Sequence, residues 1–199
     1  MRSFIYRLFS RLERRIDRAY NRYHKWKTRE YLVANNVDFC DFEDYIIPSD
    51  ARIYATTKLR IGKGLIMGNR SVIDSNDSFG IYIGNNLLLA SDVYIRGSNH
   101  DWSYSEEPFQ KRGHCAKRIS RKGEDWSIVI EDNVWCGHGA TILSGSYIRK
   151  GSVIGAGAVV TGEIPEYSVV IGNPYQVVSN RKKHMNWTEE EGVGIFHEV

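Results

Sequence analysis

IVIEDN-VWCGHG-ATILSG-SYIRKG-SVIGAG-AVVTGE, residues 128–163, falls into six consecutive units of six. The third column is Ile130, Cys136, Ile142, Ile148, Ile154 and Val160, apolar in every unit. The first column is Ile128, Val134, Ala140, Ser146, Ser152 and Ala158, apolar or small throughout. Glycine recurs in the fourth column at Gly137 and Gly155, and in the sixth at Gly139, Gly145, Gly151 and Gly157. Self-similarity at a fixed short period is the signature of a repeat architecture. A helix does not fit, because a step of six residues moves an apolar side chain about 240° around a helix axis. A short strand followed by a turn does fit, with Gly, Asn and Asp supplying positive φ or local hydrogen bonds at the bend. Three such units close a triangular coil. One aliphatic side chain per unit points inward and stacks on the coils above and below, so only the two ends carry sheet edges.

Working outward, the same pattern holds in earlier stretches. Leu59, Leu65 and Ser71 occupy one column, with Ile61, Met67 and Ile73 two positions on. Residues 81–98 give Ile81, Leu87, Val93 and Ile83, Leu89, Ile95. The ten-residue step from Ile73 to Ile83 implies a four-residue insertion near Ser75–Ser78. Between Ile95 and Ile130 the period is lost, which predicts a long excursion loop over 96–127. The predicted class is therefore all-β, a parallel β-helix with one long excursion. Residues 50–180 resemble the hexapeptide-repeat acyltransferases. That resemblance, and not the spacing, implies a left-handed coil, against the usual right-handed crossover. It also implies a homotrimer with active sites between neighbouring subunits.

The 199 residues suit one domain with a sizeable core. The predicted organisation is a basic amphipathic helical segment over 1–35, the β-helix over 36–183, and a C-terminal tail over 184–199. Residues 1–30 carry ten Lys/Arg against three acidic residues, a balance of +7; the remainder has 17 basic and 21 acidic, a balance of −4. Ile5, Leu8, Phe9, Leu12, Ile16, Ala19, Tyr20 and Tyr23 follow i, i+3, i+4, i+7 spacing, the mark of one apolar helical stripe. Two readings stand: peripheral contact with an anionic membrane surface, or packing on the body or a sister subunit. Nucleic-acid binding is not expected, since the rest of the chain is acidic and carries no reader motif. There is no apolar run of 18 residues, and the basic start is a poor signal peptide. Cys40, Cys115 and Cys136 are odd in number and widely spaced, which fits a reducing cytosol, with the inner membrane face the expected site of any lipid contact.

Three further elements occur in order: Val134-Trp-Cys-Gly137, Gly155-Ala-Gly-Ala-Val-Val-Thr161 and Gly172-Asn-Pro174. With them the chain is similar to sugar O-acetyltransferases of the galactoside and maltose type. The implied reaction moves an acetyl group from acetyl-coenzyme A to a sugar hydroxyl, with no metal. An alcohol needs a base near neutral pH, and imidazole suits that task. In the resembled enzymes the base is a histidine on a loop leaving the coil. Gly97-Ser-Asn-His-Asp-Trp102 occupies that place, making His100 the catalytic candidate and Asn99, Asp101 and Trp102 candidates to hold the acceptor. By the same resemblance Trp135, Gly137, His138, Ala156, Thr161 and Gly162 line the coenzyme path, and Arg181 meets its phosphates. A backbone N–H at Gly137 or His138 is the candidate oxyanion donor. Aromatic and acidic residues of the excursion, Tyr104, Glu106, Glu107, Phe109 and Trp126 among them, suit a carbohydrate pocket. Glu124 and Asp125 are candidates to orient His100. His114 is expected to be an exposed loop residue; His24, His184 and His197 fall outside the repeats. His100, His114 and His138 lie 14 and 24 residues apart, without the close pair a zinc carbonic anhydrase of this fold would need. An N-acetyltransferase of nucleotide-linked amino sugars and a non-catalytic scaffold are the competing functions.

Overall fold

A computed structural model describes the backbone of residues 2–184 and the side chains of 11–183. The hexapeptide columns become three parallel sheets wrapped around one core. The first sheet stacks strands Asp38–Phe39, Leu59–Ile61, Ile81–Ile83, Ile128–Ile130, Tyr147–Ile148 and Glu163–Ile164. The second stacks Ile66–Met67, Leu88–Leu89, Trp135–Cys136, Val153–Ile154 and Ser168–Ile171, and closes with the antiparallel Gln176–Asn180. The third stacks Arg52–Tyr54, Val72–Asp74, Tyr94–Arg96, Thr141–Leu143 and Val159–Val160. The whole is a left-handed parallel β-helix.

Register explains why the inward column is aliphatic. Ile61, Ile83, Ile130, Ile148 and Ile164 stand directly over one another in the first sheet. Met67, Leu89, Cys136, Ile154 and Val170 do so in the second, and Ile53, Ile73, Ile95, Ile142 and Val160 in the third. All are buried. The sixth column supplies the corners: Asn133, Gly139, Gly145, Gly151 and Gly157 all adopt positive φ, where glycine carries no Cβ penalty. Gly137 in the fourth column is constrained differently. A Cβ there would meet the Ala156 amide nitrogen at 2.8 Å, so the coils could not stack as closely. First-column serines are buried yet satisfied, the Ser146 hydroxyl lying 2.7 Å from the Leu143 carbonyl and 2.9 Å from that of Val160.

Helix α1 (Arg2–Ala34) covers the first coil only through its last turns. Leu32 is fully buried, the Ala55 N–H donates to the Tyr31 hydroxyl at 3.0 Å, and Lys25 reaches the Glu43 carboxylate at 3.2 Å. Residues 11–23 are all exposed; Leu12, Ile16, Tyr20 and Tyr23 are each more than half exposed. Their stripe therefore does not pack on the body of its own subunit, which removes one of the two packing alternatives. Among the described residues no helix is long and apolar enough to cross a membrane. Residues 185–199, with His197 and most of the expected tail, lie outside the described residues.

The excursion is more ordered than the lost period suggests. Its first half forms an antiparallel pair, Asn99–His100 with His114–Cys115. Its second half is a hairpin, Ile119–Arg121 with Glu124–Trp126. That hairpin lies on the outer face of the first sheet. Trp126 is buried with its ring edge-on to Tyr82, 5.5 Å between centroids, and the Arg121 guanidinium stands 3.7 Å over Tyr82. Lys58 sits 3.7 Å over Trp126.

Candidate active site

His100 leaves the coil three residues after Gly97, on a two-residue strand whose side chains are exposed. Its cross-strand partner is His114, and the two imidazoles stack with centroids 4.6 Å apart and planes 31° apart. Asp77 Oδ2 stands 3.5 Å from His114 Nδ1. The Asp101 N–H donates to the Gly113 carbonyl at 3.0 Å, and the Cys115 thiol to the His100 carbonyl at 3.4 Å, closing the base of the loop. Asp101 is turned to its own loop: its carboxylate accepts from the Ser103 N–H at 2.9 Å, and those bonds hold its carboxyl below the usual range. Trp102 is 79% exposed and Tyr104 94%, with Phe109 also outward under the Arg112 guanidinium. His100 thus stands at the foot of a lobe that presents bare aromatic faces.

The candidates for the coenzyme path divide between two corners of the coil. Gly137, His138 and Ala156 lie where the second sheet turns into the third; Thr161 and Gly162 lie where the third turns into the first. At the former corner the side of the coil is open. Ala156 is exposed, and a Cβ at either Gly139 or Gly157 would meet nothing within 4 Å. The row is a shallow trough that an extended arm with amide groups would fit, and Trp135, 46% exposed, forms its wall on the second sheet. His138 is held there by Asp92, whose Oδ2 is 3.5 Å from Nδ1. Arg70 grips the same Asp92 with two hydrogen bonds of 2.7 and 2.6 Å, which hold its carboxyl below the ordinary value.

Two of the expected residues are engaged elsewhere. A Cβ on Gly162 would run into the Tyr175 hydroxyl, so that position is covered by Tyr175. Arg181 donates from Nη1 to the Gly151 carbonyl at 2.6 Å and ties the closing strand to the coil. Glu124 and Asp125 do not reach toward His100: they pair with Lys58 at 3.2 Å and Arg118 at 3.3 Å. Trp126, buried under the hairpin, is withdrawn from any acceptor pocket. His114, expected to be a bystander, is instead the side chain stacked on His100, and Asp77 joins it. The sequence signal that could have found Asp77 is the four-residue insertion, because inserted residues in adjacent coils share a corner. Among the described residues no group of three His, Cys, Asp or Glu side chains is placed to hold a metal ion.

Within one protomer the His100 lobe and the His138 trough sit at opposite ends of the third sheet. A strand advances about 3.3 Å per residue, so the two groups do not converge on one small cleft.

Residues 127–162 match the bacterial transferase hexapeptide (six repeats) family. The chain is 32% identical over 134 residues to a galactoside O-acetyltransferase of Lactococcus lactis, covering 67% of this chain and 58% of that protein. It is 33% identical over 113 residues to the galactoside O-acetyltransferase of Escherichia coli, covering 54% and 49%. An Escherichia coli protein provisionally named for O-acetyl transfer in lipopolysaccharide biosynthesis is 35% identical over 98 residues, 49% of each chain. The chain spans about half the length of the curated relatives it matches. In fold it superposes on a galactoside acetyltransferase in complex with coenzyme A, with a TM-score of 0.57 at 24% identity over 77% of this chain and 70% of that one. It also superposes on an N-acyltransferase from Bacillus cereus, with a TM-score of 0.51 at 17% identity, covering 78% and 82%. The repeat, its register and these likenesses agree: residues 127–162 match the hexapeptide-repeat transferase model, and the coil as a whole shares the fold of the coenzyme A-bound galactoside acetyltransferase.

Proposed function

We propose that this protein is an acetyl-coenzyme A-dependent O-acetyltransferase acting on a sugar hydroxyl, of a surface polysaccharide or its precursor. The observation that carries the reading is the position of His100, exposed at the foot of an aromatic lobe that leaves a hexapeptide coil. Acetyl-coenzyme A supplies the acetyl group, already activated as a thioester. Gly137, His138 and Ala156, with Trp135 beside them, hold its extended arm along the open corner. Thr161 at the next corner is exposed and free to hydrogen-bond an amide. Asn99 and Trp102 flank the acceptor, the indole face taking the C–H face of the sugar. His100 takes the proton from the acceptor hydroxyl as that oxygen attacks the acetyl carbonyl. The C–S bond then breaks, and the proton passes to the departing sulfur. A backbone N–H at the Gly137–His138 corner stabilises charge on the carbonyl oxygen as it develops.

The functional unit is a homotrimer. The outward column of the second sheet supports this, for Ile66, Leu88 and Trp135 stand in register and are each more than a third exposed. The enzyme works in the cytoplasm at the inner face of the membrane, where α1 rests on anionic lipid. Leu12, Ile16, Tyr20, Tyr23 and Trp26 enter the interface, and Arg11, Arg14, Arg15, Arg18 and Arg22 lie beside the headgroups, each adding about 1 kcal/mol.

The deciding experiment measures thiol release from acetyl-coenzyme A with a panel of mono- and oligosaccharides, in wild type and H100A. Acceptor-dependent release that falls on the order of 10²-fold or more in H100A is the expected result. Release that needs an amino sugar on a nucleotide would replace hydroxyl by amine. Coenzyme A binding with no turnover on any acceptor would make the protein a scaffold. Co-sedimentation with phosphatidylglycerol vesicles, but not phosphatidylcholine vesicles, is expected and should vanish when Arg11, Arg14 and Arg18 become Glu.

A further inference from the structure

The two places where the hexapeptide register breaks are the insertion near Ser75–Ser78 and the excursion after Arg96. The first lies one coil before the second, at the same corner of the β-helix: Val72–Asp74 pairs with Tyr94–Arg96, and each strand runs into its own insertion. They touch through one side-chain chain, Asp77 to His114 to His100. His100 itself sits on a two-residue strand with its side chain toward solvent. An exposed imidazole on so short an antiparallel pair has no intrinsic reason to hold one ring orientation, since an isolated pair is marginal in water. Directly opposite residues of an antiparallel pair do interact, however, and aromatic pairs are the strong case.

We infer that His114, anchored by Asp77, is a positioning residue that fixes the ring plane of His100. His114 does not touch the reacting atoms. It backs one face of the base, leaving the ring edge to meet the acceptor hydroxyl. Asp77, in the left-handed conformation at φ 53°, is built into the coil's own insertion. The brace therefore refers the loop histidine to the rigid body and not to the exposed lobe beyond it. Proton abstraction depends on the hydroxyl lying within hydrogen-bond reach and in line with the accepting nitrogen. A ring free to rotate spends most of its time misaligned, which lowers turnover and leaves coenzyme binding untouched.

This inference rests on the acetyl-transfer reading for its kinetic arm, and a second arm is independent of it. With the full chain, acetyl-coenzyme A and the best acceptor, H114A is expected to lower kcat on the order of tenfold, with KM for acetyl-coenzyme A unchanged. H114F keeps an aromatic face behind His100 and is expected to recover most of that loss. D77N should fall between wild type and H114A. In parallel, the His100 ring protons are followed by NMR in wild type, H114A and H114F, with H100A to assign them. A ring-current displacement present in wild type and H114F but lost in H114A shows the stack. Equal kcat in H114A and wild type, or H114F no better than H114A, overturns the positioning role. Unchanged ring-proton positions in H114A overturn the stack itself. If wild type releases no thiol, the acetyl-transfer reading falls; if H100A releases as much as wild type, His100 is not its base; in both cases the ring protons still decide whether the brace exists.

Discussion

The coils over 128–164 and the excursion over 97–126 are built from the same chain by opposite means. In the coils each inward residue has an equivalent above and below it, as Ile142 has Ile95 and Val160. Order is spread over the repeat, and no single contact is special. In the excursion almost every contact is unique: one imidazole stack, one Trp126–Tyr82 edge contact, one Arg118–Asp125 pair. The coil provides a rigid frame, and the excursion provides particular side chains in particular places. The division suits the proposed acetyl transfer, which needs both.

The contrast breaks most plainly at the centre of the stack. Ile142→Ala deletes a fully buried side chain from a ladder that cannot collapse without moving both neighbouring coils. It should cost about 2–5 kcal/mol, measured by denaturant unfolding. A loss near zero would mean that the coils slide to refill the space and are not a rigid frame. Trp126→Ala tests the same idea on the excursion. Trp126 is buried, but against one face of the first sheet, and the hairpin can lift away without disturbing the core. The loss should sit near or below the low end for such residues, about 3 kcal/mol. The sharper sign is faster proteolysis within 119–125 while the unfolding midpoint of the coils moves less than in I142A.

Cys136 and Cys115 compare the two regions by reactivity. Cys136 occupies the inward column and is fully buried, and burial pushes its thiol up to about 12 from an ordinary 9. The unfolded thiol ionises near its ordinary value while the native one does not. Its contribution to stability is thus complete below about pH 9 and is lost as pH rises toward 12. Thiol reagents should therefore label Cys40 and Cys115 in the native protein at neutral pH and reach Cys136 only on unfolding. Native labelling of Cys136 would mean that the coil opens locally.

The same contrast explains which features are legible in the sequence. Period six is a property of many residues at once, so the inward columns, the left-turning sixth position and the four-residue insertion were all legible, and the register pairs bear them out. Single contacts leave no period. Nothing in the string distinguishes His114 from any loop histidine, because its meaning comes from an antiparallel pair that sets it opposite His100. Trp126 looked like a sugar platform because aromatic residues near a site look alike in composition. Only the hairpin's fold back over Tyr82 shows that it serves packing. Arg181 misled for a related reason: a basic residue after Gly172-Asn-Pro174 suggests a phosphate contact, yet its guanidinium is already bonded to the Gly151 carbonyl.

The smallest effect probes the seam where frame and chemistry meet. Asp92 stands at the open corner, gripped by Arg70 and set 3.5 Å from the His138 ring. Its carboxyl is depressed mainly by the Arg70 hydrogen bond, so the native state favours the ionised form more than the unfolded chain does. The stabilisation is present above the ordinary carboxylate value near 3.8 and fades as pH falls through the lower native value. The pair is at the surface, so its effect should be slight and should shrink further with salt. D92N and wild type are accordingly expected to differ a little in stability above the ordinary carboxylate value and to converge as pH falls through the lowered native one. Activity should respond more than stability. Freed from Asp92, His138 no longer holds one position along the trough, and KM for acetyl-coenzyme A should rise while the H114A-sensitive step, kcat, does not. A D92N protein that lost kcat instead would place the His138 side chain, and not only the backbone beside it, with the reacting groups.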